Sequence, residues 1–172
     1  KYIGYEKNTA YISNGRHLRN LDSDSKVIDD YSKALLLNDI DFSENGDFYK
    51  KYIDSYIDSY IDVNVVAGSG SVYAKSVPVF KGILNDNLNT LDGNGFTIKE
   101  LATRSALFSI VNKNLIISNL ALTGEKVYGN DVAGGLINTI NNSSNVTIKN
   151  CKIYLNSGSD IPTSIDSNVH LE

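Results

Sequence analysis

The chain has 172 residues, of which 41% are hydrophobic and 21% charged, with a net charge of −4. This composition is typical of a globular domain and excludes a disordered one. Its lysines and arginines are scattered, which excludes the clustered basic surface that a nucleic-acid partner requires. No apolar run approaches the roughly 20 residues of a membrane helix, so we expect no membrane insertion. The sequence begins at Lys1 and has no methionine, so we expect a piece of a longer protein that continues into further domains.

Cysteine and histidine are too few for most site chemistries. Cys151 is the single cysteine, so no internal disulfide can form, a count that fits surface proteins of Gram-positive bacteria. Without a histidine near it in the sequence, Cys151 is expected to be a buried thiol. His17 and His170 do not form a zinc motif. The alternating oxygens of residues 22–24 and 39–43 lack the glycine and closing glutamate of an EF-hand loop. We therefore expect no metal and no cofactor.

The first predicted element is a short helix over residues 14–21. Either Ser13 or Asn14 can cap its start, and Leu18 and Leu21 lie one turn apart on the same helical face. A helix at this end could cover the hydrophobic core of the residues that follow, because the ends of a repeat protein must be closed.

Two segments follow the predicted helix. Residues 31–42 are ambiguous, since their leucines favour a helix whereas their later residues alternate as in a strand. Residues 43–78 contain a Tyr-Ile-Asp-Ser repeat with a four-residue period, which predicts an inserted helix and loop outside the main body. The repeat places three tyrosines along one helical ridge: Tyr52, Tyr56 and Tyr60.

These tyrosines are the candidate binding residues of the chain. Exposed phenol rings offer flat apolar faces and hydroxyl groups to sugars or to proteins. The competing interpretation is that one stripe of the insertion packs against the main body, because an amphipathic helix buries one face. The isoleucines beside the tyrosines are the better candidates for that buried stripe.

From Val79 onward, short β-prone runs recur. Three of them align, namely residues 97–101, 116–120 and 147–151, with 19 and 31 residues between successive isoleucines. The aligned columns are Ile98, Ile117 and Ile148; Glu100, Asn119 and Asn150; and Leu101, Leu120 and Cys151. Such spacing predicts a solenoid of stacked parallel strands, with the Asn119 and Asn150 amides in register at a turn. The alternative is three unrelated strands of a sandwich.

Two glycine-containing turns punctuate the repeats. The sequence Asp92-Gly93-Asn94-Gly95 predicts a structural turn in which the glycines take positive φ, and Gly134-Gly135 predicts a tight corner. The predicted fold is mainly β: a right-handed parallel β-helix over residues 1–155, with a short N-terminal capping helix and an inserted helix and loop over residues 43–78. Residues 156–172 are expected to form a flexible tail, ending in a Leu-Glu pair that looks like a cloning scar.

The order of these motifs resembles a known type of β-helix. Residues 36–43, Asp92-Gly93-Asn94-Gly95 with the following Thr-Ile, and residues 117–123 look like the β-helix of large Gram-positive surface proteins, including those with GLUG-type repeats. They are also similar to the N-terminal, non-catalytic β-helix of the immunoglobulin A-specific metallopeptidases. The resemblance covers residues 11–43 and 79–155. It implies that Leu35 to Phe42 is a strand that enters the first coil.

Some residues depart from this family pattern. Leu107-Phe108-Ser109 lacks the glycine that the GLUG pattern places beside phenylalanine. Cys151 stands where the third repeat would have an apolar residue, and it can act there as a small hydrophobe.

The resemblance implies a non-catalytic role. The outward positions of the repeats supply no carboxylate pair for polysaccharide hydrolysis or lysis, so we expect no enzyme activity. The expected function is a binding or spacer module of a bacterial cell-surface adhesin, secreted or attached to the cell wall, with a host protein or glycan as partner. The alternative is an accessory domain that positions the substrate of a large secreted metallopeptidase.

Overall fold

The computed structural model describes residues 8–22, 31–43, 46, 59–103, 105–127, 135–141, 143–155 and 169–172. Within these ranges the chain is mainly β, with one short helix. The elements are β1 (Thr9–Ile12), α1 (Gly15–Arg19), β2 (Lys33–Leu36), β3 (Ile40–Asp41), β4 (Ser59–Val66), β5 (Val72–Val79), β6 (Ile83–Asn85), β7 (Thr90–Asp92), β8 (Thr97–Lys99), β9 (Ala102–Thr103), β10 (Phe108–Val111), β11 (Leu115–Ser118), β12 (Ala121–Val127), β13 (Ile137–Ile140), β14 (Val146–Lys149), β15 (Lys152–Leu155) and β16 (Val169–Leu171).

Three parallel sheets receive strands in turn as the chain advances. The first sheet has the order β1-β2-β7-β11-β14-β16, the second β15-β12-β8-β3 with β9 also on β12, and the third β13-β10-β6. The strands β7, β8 and β10 enter the first, second and third sheets, and β11, β12 and β13 repeat that order. We call one such pass a circuit. Every strand pair within these sheets is parallel.

The register of the first sheet stacks apolar residues of successive circuits. Leu91 pairs with Ile117, and Ile117 pairs with Ile148. The predicted alignment of Ile117 with Ile148 is therefore confirmed. Buried side chains from all three sheets form one hydrophobic cluster, which includes Ile12, Leu36, Ile83, Leu91, Ile98, Phe108, Ile117 and Leu122. Burying a side chain of this size stabilises a fold by about 1.5–3 kcal/mol.

The predicted position of Ile98 was wrong. Ile98 lies in the second sheet, where it pairs with Ile40 and Leu122, and Leu91 takes the predicted place beside Ile117. Glu100 likewise lies outside the amide column, because its N–H donates to Thr123 O at 2.8 Å. Alternation identifies a half-buried strand but does not say which sheet the strand joins.

The short helix at the start of the chain is confirmed. Asn14 is its N-cap, with extended backbone, and Asn14 Oδ1 accepts the N–H of His17 at 3.0 Å. Leu18 and Leu21 are fully buried in the common hydrophobic cluster. The helix spans Gly15–Arg19, which is shorter than the predicted 14–21.

The segment of ambiguous propensity forms two strands. Residues 33–36 lie between β1 and β7 in the first sheet, and Ile40 pairs with Ile98 in the second. Hydrogen bonds to parallel neighbours on both sides outweigh the helix preference of the leucines, which is worth only tenths of a kcal/mol per residue.

Where the insertion is described, it forms strands in place of the predicted helix, and the predicted loop is a turn at residues 67–71. Residues 59–79 form an antiparallel hairpin, in which Ser59 pairs with Val79 and Val66 with Val72; no helix forms there. Valine is frequent in both strands, and β-branched residues favour strands over helices. The chain leaves and rejoins the body at Phe42 and Phe80, whose buried rings meet edge to face with centroids 5.6 Å apart.

The end of the chain also departs from the expected tail. Residues 169–171 form β16, which pairs with β14 in the first sheet. Glu172 N–H donates to Ile148 O at 2.8 Å, and Asn150 N–H donates to Glu172 O at 3.1 Å. Residues 156–168 lie outside the described residues.

Candidate functional site

The three candidate tyrosines are only partly described. Tyr60 lies in β4, where its backbone pairs with Pro78. Tyr52 and Tyr56 lie outside the described residues, so their binding role stays a prediction. A strand at Tyr60 does not continue the four-residue helical ridge on which that prediction placed it.

The hairpin tip carries the two most exposed of the large apolar side chains described, measured as exposed fraction. Val66 and Val72 face each other across the hairpin and are 68% and 64% exposed, and Tyr73 beside them is 51% exposed. The turn closes through Ala67 N–H, which donates to Ser71 O at 2.8 Å. Gly70 has a φ of 85° in this turn. We call Val66, Val72 and Tyr73 the hairpin tip. Its sequence signal is the pair of β-branched runs on either side of a Gly-Ser turn, which the tyrosine repeat obscured.

A polar cleft of about 260 Å³ lies beside the helix. It is lined by Ser13, Asn14, Gly15, Asn38, Asp39, Ile40, Asp41 and Gly46. Asp39 accepts hydrogen bonds from Lys99 Nζ and Thr97 N–H, both at 2.9 Å. The bond from Lys99, followed by that from Thr97, lowers the pKa of Asp39. The charge of this carboxylate is thus already matched by a lysine.

Ser13 and His17 hydrogen-bond at the edge of the cleft. Ser13 Oγ lies 3.0 Å from His17 Nδ1, and the same Nδ1 accepts Ser13 N–H at 3.2 Å. Burial, and then the charge of Arg16, lower the pKa of His17, so its ring is neutral at physiological pH. Both contacts link Ser13, which precedes the helix, to His17 Nδ1 in its first turn. The imidazole ring therefore stabilises the start of the helix.

The turn at residues 92–95 is confirmed, with one correction. Positive φ occurs at Asn94 (53°) and Gly95 (82°), not at Gly93. Gly93 is required for close approach, because a Cβ there would lie 2.5 Å from Asn119 O and 2.6 Å from Leu120 Cα. Asp92 Oδ1 accepts Asn94 N–H at 2.8 Å and closes the turn. Gly134 lies outside the described residues, and Gly135 has a φ of 23°.

Side-chain amides stack at two corners of the circuits. At the corner between the first and second sheets, Asn150 Nδ2 donates to Asn119 Oδ1 at 3.0 Å, as predicted, and Asn119 Nδ2 donates to Asp92 Oδ1 at 3.3 Å. We call this series ladder one. At the corner between the third and first sheets, ladder two runs from Asn141 to Asn112 to Asp86. Asn112 Nδ2 donates to Asp86 Oδ1 at 2.9 Å, and Asn141 Nδ2 donates to Asn112 Oδ1.

Two further groups carry reactive atoms. The Cys151 thiol is half-buried, and burial raises its pKa, which disfavours the nucleophilic thiolate. Glu125 is fully buried in β12, and burial raises its pKa to about 8. Sequence reasoning missed Glu125, because simple alternation from Leu122 would turn it outward.

No protein-family model, curated protein or solved structure matches this chain. Within the described ranges, no three histidine, cysteine or acidic side chains are grouped so that they could hold a metal ion. In the same part of the chain, no helix has the length and apolar character to cross a membrane.

Proposed function

We propose that the chain is part of a right-handed parallel β-helix and that it serves as a non-catalytic binding or spacer module of a bacterial cell-surface adhesin. One observation carries the proposal: strands enter three parallel sheets in a fixed, repeating order, and amide ladders join the same corners of successive circuits. Each circuit is then one coil. A right-handed path follows from the strong preference of parallel crossovers for that hand.

Such an arrangement suits a spacer. Each coil contacts mainly its neighbours, so the body is elongated and its length grows with the number of coils. Continuous backbone pairing along the first sheet, from β1 to β16, and the ladders make that axis stiff. A stiff rod can hold a contact element away from a cell wall.

The hairpin tip is the proposed contact element. Val66 and Val72, paired across the turn, form a small exposed apolar surface of the kind that protein partners bury. Tyr73 exposes its ring on the other face of the same strand. Aliphatic valines do not stack on sugar rings as aromatic rings do, so the Val66–Val72 pair favours a host protein over a glycan. The insertion also contains the Tyr-Ile-Asp-Ser repeat, whose tyrosines we propose as additional contacts. A secreted or wall-attached location belongs to the same proposal and agrees with the single free cysteine.

The test is binding of the full chain to immobilised fibrinogen, fibronectin and collagen, measured by surface plasmon resonance. A variant with Val66→Ser, Val72→Ser and Tyr73→Ser removes the apolar tip. We expect saturable binding to at least one of these proteins, weakened at least tenfold in this variant, with an unchanged melting temperature.

The matched control combines Ile116→Ser and Tyr154→Ser, which remove exposed apolar side chains far along the chain from the hairpin. It should bind as the parent does. Equal loss in both variants, or no binding to any of the proteins, would refute the hairpin tip as the contact element. Binding to a mammalian glycan array alone would refute the protein partner.

A further inference from the structure

The hairpin tip exposes apolar side chains on both of its faces. Val66 and Val72 are cross-strand partners, so their side chains share one face, and both are largely exposed. Tyr73 follows Val72 in the same strand, so its ring lies on the opposite face, where it is also more than half exposed. Neither face of the hairpin tip is therefore buried.

The end of the hairpin carries no charged residue. Between Asp62 and Lys75 the two strands and their turn contain only uncharged residues. Lys75 pairs with Val63, three residue pairs away from the pair of Val66 and Val72. At about 3.3 Å per residue, the first charged position of β5 lies about 10 Å from that pair. A partner can therefore desolvate the hairpin tip without burying a charge.

The two exposed faces restrict the shape of the partner's site. A flat surface covers one face of a hairpin and leaves the other in water, so the burial of the second apolar face, at about 25 cal/mol per Å² of apolar area, would not contribute. A groove covers both faces, with walls that pack about 10 Å from the hairpin backbone, as stacked sheets do. The turn can enter such a groove end first, because Gly68 and Gly70 have no side chain and a Cβ at either position would meet nothing within 4 Å.

We propose that the hairpin tip inserts into an apolar groove of its protein partner, in which Val66 and Val72 contact one wall and Tyr73 contacts the other. The partner's site is then a cleft without charged side chains, and not a flat or charged surface. This inference rests on the proposed function, in which the hairpin tip is the contact element, and it adds the shape and the charge of the site that receives it.

Variants that change one face at a time test the groove. The probe is whichever of fibrinogen, fibronectin and collagen binds the parent chain in surface plasmon resonance. The double variant Val66→Ser with Val72→Ser, and the single variant Tyr73→Ser, should each raise the Kd roughly threefold or more, because both faces are desolvated in the groove. The matched controls Ile116→Ser and Tyr154→Ser remove exposed apolar and aromatic side chains elsewhere and should leave the Kd unchanged.

Two substitutions at the end of the turn test the charge of the partner's site. Ser69 is exposed and lies between the two glycines of the turn. Ser69→Glu and Ser69→Lys should both raise the Kd roughly tenfold or more, because an apolar groove would have to bury either charge. The Kd of the parent chain should change less than about twofold between about 50 and 500 mM sodium chloride, since no ion pair contributes to binding.

The outcomes separate this inference from the proposed function. Loss of binding in only one of the two face variants would overturn the groove and leave the hairpin tip as a contact element on a flat surface. Opposite effects of the two charges at Ser69 would overturn the uncharged site. No loss in either face variant, or no binding of the parent chain to any of the three proteins, would refute the hairpin tip as the contact element and the groove with it.

Two other occupants of the hairpin tip are tested with the variant that replaces Val66, Val72 and Tyr73 by serine. Binding of the parent chain to phosphatidylcholine vesicles that this variant loses would overturn the inference, because a lipid surface would then be the occupant. Dimers of the parent chain in sedimentation velocity that the same variant dissociates would overturn it as well, because a second copy of the chain would then cover the tip.

Discussion

Glu125 makes the stability of this protein depend on pH in an unusual direction. The backbone of β12 shifts register between Thr123 and Glu125, and Gly124 has a φ of 66° at that point. The irregularity turns Glu125 into the interior, and the next residue, Lys126, donates its N–H to Leu101 O between β8 and β9. Burial there raises the pKa of Glu125 from 4.5 to about 8.

The size of the effect follows from linkage. A carboxyl that titrates near pH 8 in the folded protein and near 4.5 in the unfolded chain lowers the free energy of unfolding as pH rises between these values. At about 1.36 kcal/mol per pH unit the loss is at most about 5 kcal/mol, complete above pH 8 and absent below pH 4.5. The Glu125→Gln variant keeps the shape and removes the charge.

The assay is urea unfolding followed by far-ultraviolet circular dichroism, from pH 4 to pH 9, for the parent and Glu125→Gln. The two should be equally stable within about 1 kcal/mol at pH 4, and the variant should be the more stable by several kcal/mol at pH 9. Groups elsewhere cancel in the difference between the two proteins. A difference that stays constant across this range would show that Glu125 is ionised in the folded state and would refute the reasoning.

Two substitutions test other parts of the fold. Gly93→Ala should lower the free energy of unfolding by about 1–3 kcal/mol through overpacking, because its Cβ would overlap the backbone of the next circuit. The control Gly68→Ala has nothing within 4 Å of its Cβ and should leave the melting temperature unchanged. Equal melting temperatures for the two variants would contradict the close approach at Gly93. Asp22→Ala should lower the free energy of unfolding, measured with guanidinium, by about 1–3 kcal/mol, because Leu84 N–H loses its buried acceptor. Asp22→Asn keeps an acceptor oxygen and should lower it less. A loss below about 0.5 kcal/mol in Asp22→Ala would contradict a stabilising role for this hydrogen bond.

The elements that could be predicted are those controlled by neighbouring residues. Asn14 precedes a turn with two leucines on one face, and the N-cap and both buried leucines follow from that local pattern. Asn119 and Asn150 come at the same point after two strands of the same length and alternation, so their stacking could be predicted from the repeat alone. The Asp92–Gly95 turn was recognisable for the same reason.

The insertion shows where local patterns mislead. A four-residue Tyr-Ile-Asp-Ser period suggested a helix, yet Tyr60 lies in a strand that pairs with residues 72–79. The partner strand is separated from it by a Gly-Ser turn, and the backbone hydrogen bonds of a hairpin depend on both strands together. A period read from one strand alone does not contain that information.

The sequence by itself determined that the chain is mainly β, that short strands recur with amides at their corners, and that a capped helix precedes them. These features depend on the alternation of side chains and on residues within a few positions of each other. Only the tertiary structure decided that Ile98 belongs to the second sheet, that Gly93 is needed for close approach, and that Glu125 is buried. Each of these features depends on contact with a strand of another circuit. The number of residues between the two strands varies with the loops that connect them, so the contact cannot be read from the sequence.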